Sequence, residues 1–350
     1  MIPVLLLGGT GYVAGEALRL VLGHPVFELA GVMSDSQPGE LVGRYFPHLA
    51  SVLGETRFKS RTEIEQLICA LPAAAVLSCA PHGVSAALID ALLTKAAAAG
   101  TRPRVVDISA DYRHRSAEAY AAVYKQDHGA PSRLREFTCA LPEHLAISPT
   151  IHIAHPGCFA TTALLAVVPL LAMDLVTPTL FVSGVTGSTG SGRKPVEGTH
   201  HPLRHSDLYS YNALVHRHIP EICACAQAAS GVAAEIAFVP HSGPFARGIH
   251  VTVQATLKRP LESAAIIVKL REYYAEAPFV KILNTPPRVK DVIASNYAHL
   301  SAAANGRTVA VMSVADNLNK GAAGGAVQWM NRLFDLPETT GLTAPAAGWT

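Results

Sequence analysis

The chain has 350 residues, which allows two domains of ordinary size. Apolar residues make up 49% of it and charged residues 15%, a globular composition that excludes a disordered or collagen-like chain. Its 28 Lys and Arg nearly balance its 26 Asp and Glu, so there is no basic footprint for nucleic acid and no polybasic patch for a membrane.

The first half alternates strand and helix patterns. Val4 to Leu7 is a continuous apolar run with no basic segment before it, which reads as a buried strand and not a signal peptide. Gly8 to Gly11 breaks the run, and Glu16 to Leu22 has helical spacing up to the stop signal Gly23-His24-Pro25. Further strands are expected at Phe27 to Met33, Val76 to Cys79 and Val105 to Ile108, with helices at Ile64 to Leu71 and Ser85 to Ala99. This order predicts an α/β fold with a Rossmann-type doubly wound parallel sheet. The second half differs. Ala160 to Leu171 and Leu261 to Ala275 read as helices, and Thr179 to Val185, Gly248 to Leu257 and Thr308 to Val314 as strands. Ile249, Val251, Val253, Ala255 and Leu257 alternate with polar residues, the pattern of a sheet with one buried face. The expectation is an α+β domain with a mixed or antiparallel sheet. Gly321 to Phe334 is a final helix, and the tail from Pro337 is expected to be poorly ordered. Apolar stretches stay short of the ~20 residues that span a bilayer. Six cysteines without disulfide-framework spacing suit a reducing cytoplasm.

Three segments carry chemistry. Gly8-Gly9-Thr10-Gly11-Tyr12-Val13-Ala14-Gly15 lies between a strand and a helix. Gly8 permits the tight turn, Gly11 lets the backbone approach a phosphate, and the helix N-terminus offers N–H groups and partial positive charge to a pyrophosphate. At the end of the second strand, Ser34-Asp35-Ser36 places a carboxylate where it can hold a ribose 2′-hydroxyl, which favours NAD; no arginine adjoins it for a 2′-phosphate. In His155-Pro156-Gly157-Cys158, the Pro-Gly turn puts Cys158 at a helix start, where the dipole stabilises a thiolate and N–H groups can hold an oxyanion. The other five cysteines read as structural. An acid/base for Cys158 is expected from His216-Arg217-His218, before the helix start Ile219-Pro220-Glu221. The histidine pairs lack metal-ligand spacing, so no metal is expected. Arg113 is a candidate for a substrate phosphate or carboxylate, with Arg193 and Arg247 behind it.

With these motifs in hand, the chain resembles the N-acetyl-gamma-glutamyl-phosphate reductases, relatives of aspartate-semialdehyde dehydrogenase. The segments that carry the resemblance run in order along nearly the whole chain: GGTGYVAGE from Gly8, PHGVSA from Pro81, DISADYR from Asp107, Leu141-Pro142-Glu143, HPGC from His155, SGVTGSTGSGR from Ser183, HRHIPE from His216, Pro240-His241 with Arg247-Gly248-Ile249, and DNLNKGAAG from Asp316. The resemblance implies a dinucleotide-binding domain of residues 1–157 completed by 316–350, and a catalytic and oligomerisation domain of residues 158–315. It implies Cys158 as nucleophile and His218 as acid/base, chosen over His216 because it lies nearer the helix start. It implies NADPH, with NAD possible, bound by Gly8, Thr10, Gly11, Tyr12, Val13, Ser34, Pro81, Ser188 and Asn317, and substrate contacts from Arg113 and Arg193.

Three departures from the family pattern matter. His155 stands where Asn is usual. Asp35 stands where a serine-arginine pair is usual, which questions the preference for NADP. The segment Gly187 to Pro202 is long, and its His-His-Pro is similar to the branch that reduces carrier-linked glutamyl or aminoadipyl phosphates in arginine or lysine synthesis. The expected partner is therefore a small acyl phosphate, with an acidic carrier protein as the alternative, and the expected assembly is a homodimer or tetramer. A non-catalytic NAD(P)-binding regulator and a zinc hydrolase are the readings of other classes.

Overall fold

The computed structural model describes residues 1–348 and divides into two compact units. The first holds Met1–Ala140, Ile147–His155 and Ala323–Leu342; the second holds Leu141–Ala146, Pro156–Ala322 and residues 343–348. Against the expected division, residues 141–146, 156–157, 316–322 and 343–348 belong to the second unit. For 316–322 the reason is local: the buried Asp316 carboxylate accepts from Arg247 Nε at 2.6 Å and from Ala294 N at 2.6 Å, both in that unit.

In the first unit, β1 (Ile2–Leu7), β2 (Phe27–Val32), β3 (Ala75–Ser78), β4 (Arg104–Asp107), β5 (Phe137–Cys139) and β6 (His152–Ala154) form one sheet in the order β2-β1-β3-β4-β6-β5. Every pair is parallel. Val4 to Leu7 are 0% exposed, as an apolar run covered on both faces must be. The helix expected from Ile64 begins at Arg61, because Ser60 and Glu63 form a reciprocal capping box. The Gly324–Leu333 helix packs on β4 and on the Tyr12–Leu22 helix, and Trp329 Nε1 donates to Ala140 O at 2.9 Å.

The tail corrects the sequence reading. Asn331 Nδ2 donates to Glu338 O and Thr340 O, Leu342 is 2% exposed, and Gly341 lies against the His24 ring. The Thr-Pro-Ala-Gly composition concealed a turn whose carbonyls have an amide partner in the preceding helix.

In the second unit, β7 (Val176–Thr186), β8 (Tyr209–Ser210), β9 (Glu235–Ser242), β10 (Ile249–Leu257), β11 (Val280–Ile282), β12 (Ala298–Asn305) and β13 (Thr308–Ala315) follow the order β11-β12-β13-β10-β7-β9-β8. The sheet is mixed. β10 pairs antiparallel with β7 and β13, while β7–β9 and β11–β12 are parallel. The β7–β9 pair is parallel because the Ile219–Ser230 helix carries the chain back between the two strands. The inward residues of β10 are all buried, and the Cys158–Ala172 helix packs on β7, β10 and β13. On the outer face, Phe181 is 58% exposed and is paired in register with Gln254. No helix among the described residues is long and apolar enough to cross a membrane.

Candidate active site

In the first unit, the glycine loop follows β1 directly. Gly8 has φ +74°, and a Cβ there would sit 2.6 Å from the Ala80 backbone, so the end of β1 passes the end of β3 at a distance only glycine allows. Gly11 is the N-cap of the Tyr12–Leu22 helix, with no side-chain cap and no acidic residue in the first turn. A Cβ at Gly11 would meet nothing within 4 Å. Open space, N–H groups that no side chain caps and the absence of negative charge fit a pyrophosphate, which tests well for a nicotinamide dinucleotide. Ala14 is fully buried beneath the loop, while Tyr12 is 39% exposed. Ser34 is buried and its Oγ accepts from Gln37 N at 3.2 Å; Asp35 is exposed.

Pro81 opens the turn after β3, where its carbonyl accepts from Val84 N and Ser85 N. The sequence reading missed what fixes that turn. Asp111 accepts from Gly83 N at 2.8 Å and Ala86 N at 2.9 Å, and Asp107 accepts from Ser85 Oγ at 2.8 Å and Ser109 Oγ at 2.7 Å. Burial lifts the Asp107 carboxyl to about 6. Arg113, expected at a substrate anion, is 6% exposed and donates from Nε to His155 O at 2.9 Å and from Nη2 to Ile108 O at 2.7 Å. Those bonds make it a brace on the backbone after β4 and β6.

In the second unit, Gly157 is the extended N-cap and Cys158 the first residue of its helix. The helix makes no side-chain cap; instead the Gly157 N–H donates to Glu221 Oε1 at 2.8 Å. Glu221, 1% exposed, comes from the first turn of the Ile219–Ser230 helix, whose N-cap is His218. Sequence reasoning quoted Glu221 but gave it no role; its position three residues after His218 was the available signal. Phe159, beside Cys158, meets the rings of His216, His218 and Phe238 at 5.9, 6.4 and 5.2 Å.

The two histidines are not equivalent. His216 Nδ1 accepts the His218 N–H at 3.2 Å. Burial, aided by the Arg217 charge, holds His216 down at about 4, so it is neutral near pH 7. It packs edge-on against Tyr211 and Phe238 and serves as the platform beneath His218. Gly321 also borders Cys158. It lies in a π-helical turn, Asn319–Ala323, and a Cβ on it would come within 2.9 Å of Cys158 Cβ. The neighbouring Lys320 is fully buried and ion-paired to Glu143 at 2.5 Å.

The remaining expected residues fall as follows. Asn317 is 2% exposed; its Oδ1 accepts from Gly248 N at 2.7 Å and its Nδ2 donates to Thr189 Oγ1 at 3.0 Å. Ser188 begins the turn after β7 and donates its N–H to Phe245 O. Arg193 is exposed on the loop beyond it. Arg247 is ion-paired to Asp316. Among the described residues no three His, Cys, Asp or Glu side chains converge as a metal site.

Comparison with known proteins defines the class first. Residues 3–150 match the semialdehyde dehydrogenase NAD binding domain, and residues 158–317 match the semialdehyde dehydrogenase dimerisation domain. The fold is shared with aspartate semialdehyde dehydrogenase II from Vibrio cholerae, crystallised with ASA (TM-score 0.68, 16% identity, 96% of this chain and 98% of that one), and with aspartate semialdehyde dehydrogenase from Francisella tularensis (TM-score 0.64, 14% identity, 95% and 100%). Proteins named N-acetyl-gamma-glutamyl-phosphate reductase are 36% identical in Nitrosococcus oceani and 37% in Acidithiobacillus ferrooxidans, each over 98% of both chains. That from Bacillus cereus is 34% identical over 97% of both. The chain belongs to the N-acetyl-gamma-glutamyl-phosphate reductase family, and its first unit is a nicotinamide-dinucleotide-binding domain.

Proposed function

We propose that the protein reduces N-acetyl-gamma-glutamyl phosphate to N-acetylglutamate 5-semialdehyde with NADPH, a step of arginine biosynthesis, through a thioester on Cys158. The observation that carries this reading is Cys158 at the first position of an N-terminally uncapped helix, with the His218 helix hydrogen-bonded to its turn through Glu221. His218 takes the thiol proton, and Cys158 Sγ attacks the acyl carbon. The bond from that carbon to the phosphate oxygen breaks, and inorganic phosphate leaves. A bound nicotinamide would supply the hydride that reduces the thioester. Cys158 then holds a thiohemiacetal, whose C–S bond breaks to release the aldehyde while His218 manages the oxygen-bound proton. His216 stays neutral and fixes the His218 backbone.

NADPH is preferred over NADH in this reading on the family resemblance, because the exposed Asp35 is free to turn away from a 2′-phosphate. The open outer face of the second unit's sheet, with Phe181 at its centre, is read as the contact with a second copy of the chain.

The test is the reverse reaction with free N-acetylglutamate 5-semialdehyde, phosphate and NADP⁺. Wild type should turn over and Cys158→Ser should not, with cofactor affinity unchanged. Substantial turnover by the Ser variant would end the thioester mechanism. Activity only with a carrier-linked aldehyde would move the substrate to the carrier branch.

A further inference from the structure

We propose that the Nε–Nη2 edge of Arg204 is an anion site that takes a carboxylate or phosphate group of the substrate, a refinement that rests on the function proposed above. Arg204 is 8% exposed. Its Nη1 donates to Asp207 O at 3.0 Å, which fixes the guanidinium plane. Its Nε and Nη2 are buried and find no hydrogen-bond partner among the described residues. These two N–H groups point the same way, and together they are the fork that binds two oxygens of one carboxylate or phosphate.

Among the described residues, the other cations buried as deeply, Arg113 and Lys320, have acceptors. Arg113 spends the same edge on two backbone carbonyls, and Lys320 is paired with Glu143. A guanidinium cannot shed its charge by losing a proton, so burying it without an acceptor is costly. A fold that buries one such group without a protein acceptor is poised for an oxyanion to complete it.

The position suits a substrate group. The segment 187–208 leaves the end of β7 at Thr186 and returns as β8, which pairs with the end of β9 at Ser242 and His241. The chain then passes Tyr211 to His216 and His218, whose rings pack on Phe159 beside Cys158. The loop thus joins the Thr186 end of β7 to Tyr211, whose ring packs on His216. In this loop the exposed Arg193 and Lys194 are offset by the exposed Glu197 and Asp207, so Arg204 is the cation left without a formal counter-charge.

Arg204→Met and Arg204→Lys in the full-length enzyme test this in the reverse direction. A charge-assisted fork of this kind is worth about tenfold or more in affinity. The Met variant should raise KM for phosphate or for the aldehyde by about that factor, with KM for NADP⁺ unchanged and partial recovery in the Lys variant. A rise confined to phosphate assigns the edge to the phosphoryl group, and a rise confined to the aldehyde assigns it to the carboxylate. Both KM values within twofold of wild type would overturn the proposal. Melting separates binding from structure. Without added anion the Met variant should melt no lower than wild type, since it removes an uncompensated charge. Phosphate or N-acetylglutamate should raise the wild-type midpoint and not the variant's; equal shifts in both would sink the idea. If wild type fails to use the free aldehyde, the proposed substrate falls, while the melting experiment still decides Arg204.

Discussion

Glu221 Oε1 lies 2.8 Å from Gly157 N, so the helix that presents His218 is hydrogen-bonded to the turn that presents Cys158. Two elements whose bonded residues are 64 apart in sequence are thereby locked in one register. Glu221 also takes up a backbone donor at the helix start, which no side chain from its own helix caps.

Removing that acceptor should cost rate and not cofactor affinity. Glu221→Ala is expected to lower kcat about 10- to 100-fold, because small displacements of a nucleophile are expensive. Glu221→Gln keeps a carbonyl oxygen in place and should retain most of the activity. Equal losses in the two variants would show that the bond does not position Cys158.

The histidine pair makes a second prediction. His218→Asn should lower kcat by about 10²–10⁴-fold, the usual span for a general acid/base. His216→Asn should lose far less, since Asn Oδ1 can replace Nδ1 as acceptor of the His218 N–H. Held at about 4 by burial, His216 does not titrate near neutrality, so its variant should keep the wild-type pH profile from 6 to 9. A shifted profile in His216→Asn would reverse the roles.

Gly321→Ala introduces a Cβ 2.9 Å from Cys158 Cβ and 3.1 Å from its Cα. The nucleophile or the π turn must shift, so alkylation of Cys158 by iodoacetamide and kcat should both fall. Gly23→Ala, whose new methyl would meet nothing closer than 3.6 Å, should change neither. Wild-type alkylation kinetics in Gly321→Ala would show that the turn has slack.

Acid should destabilise the fold from pH 6.5 downward, driven by buried histidines. Burial holds His144, His152 and His216 at about 4, against 6.5 for an exposed histidine. Each is neutral when folded, and the unfolded chain binds the extra proton, so this stability is complete above pH 6.5 and is lost as pH falls toward 4. Asp107, raised to about 6 by burial, acts in the opposite sense and favours the folded state below that value. Three histidines against one carboxylate leave net acid destabilisation. His152 Nδ1 accepts the Val105 N–H at 3.2 Å, so His152→Asn can keep that bond without a titrating ring. Its melting midpoint should fall less steeply between pH 6.5 and 4.5; an unchanged slope would remove His152 from the account.

Local chemistry made much of this protein legible. The run Val4 to Leu7, the Gly8 turn and the Pro-Gly-Cys turn each specify their own geometry, through double-sided burial, a positive φ and a break that restarts a helix. The alternation in Ile249 to Leu257 likewise fixed which face of β10 is buried. Helix starts were less legible where a cap decided them, as at Ser60, and the tail from Pro337 misled because its order depends on Asn331, not on its own composition.

What the sequence determined by itself was the parallel sheet, the glycine turn after the first strand, the helix start at Cys158 and the helix start after His218. The tertiary structure alone decided which residues support them. Arg113 reads as an anion ligand until two carbonyls claim it, and Glu221 and Gly321 acquire meaning only beside Cys158. Arg204 stands out only when its burial and its unmet donors are seen together. The division has one physical cause. Turn and strand preferences are set by backbone sterics and side-chain size within a few residues, whereas the partner of a buried polar group is set by whichever distant segment packs against it.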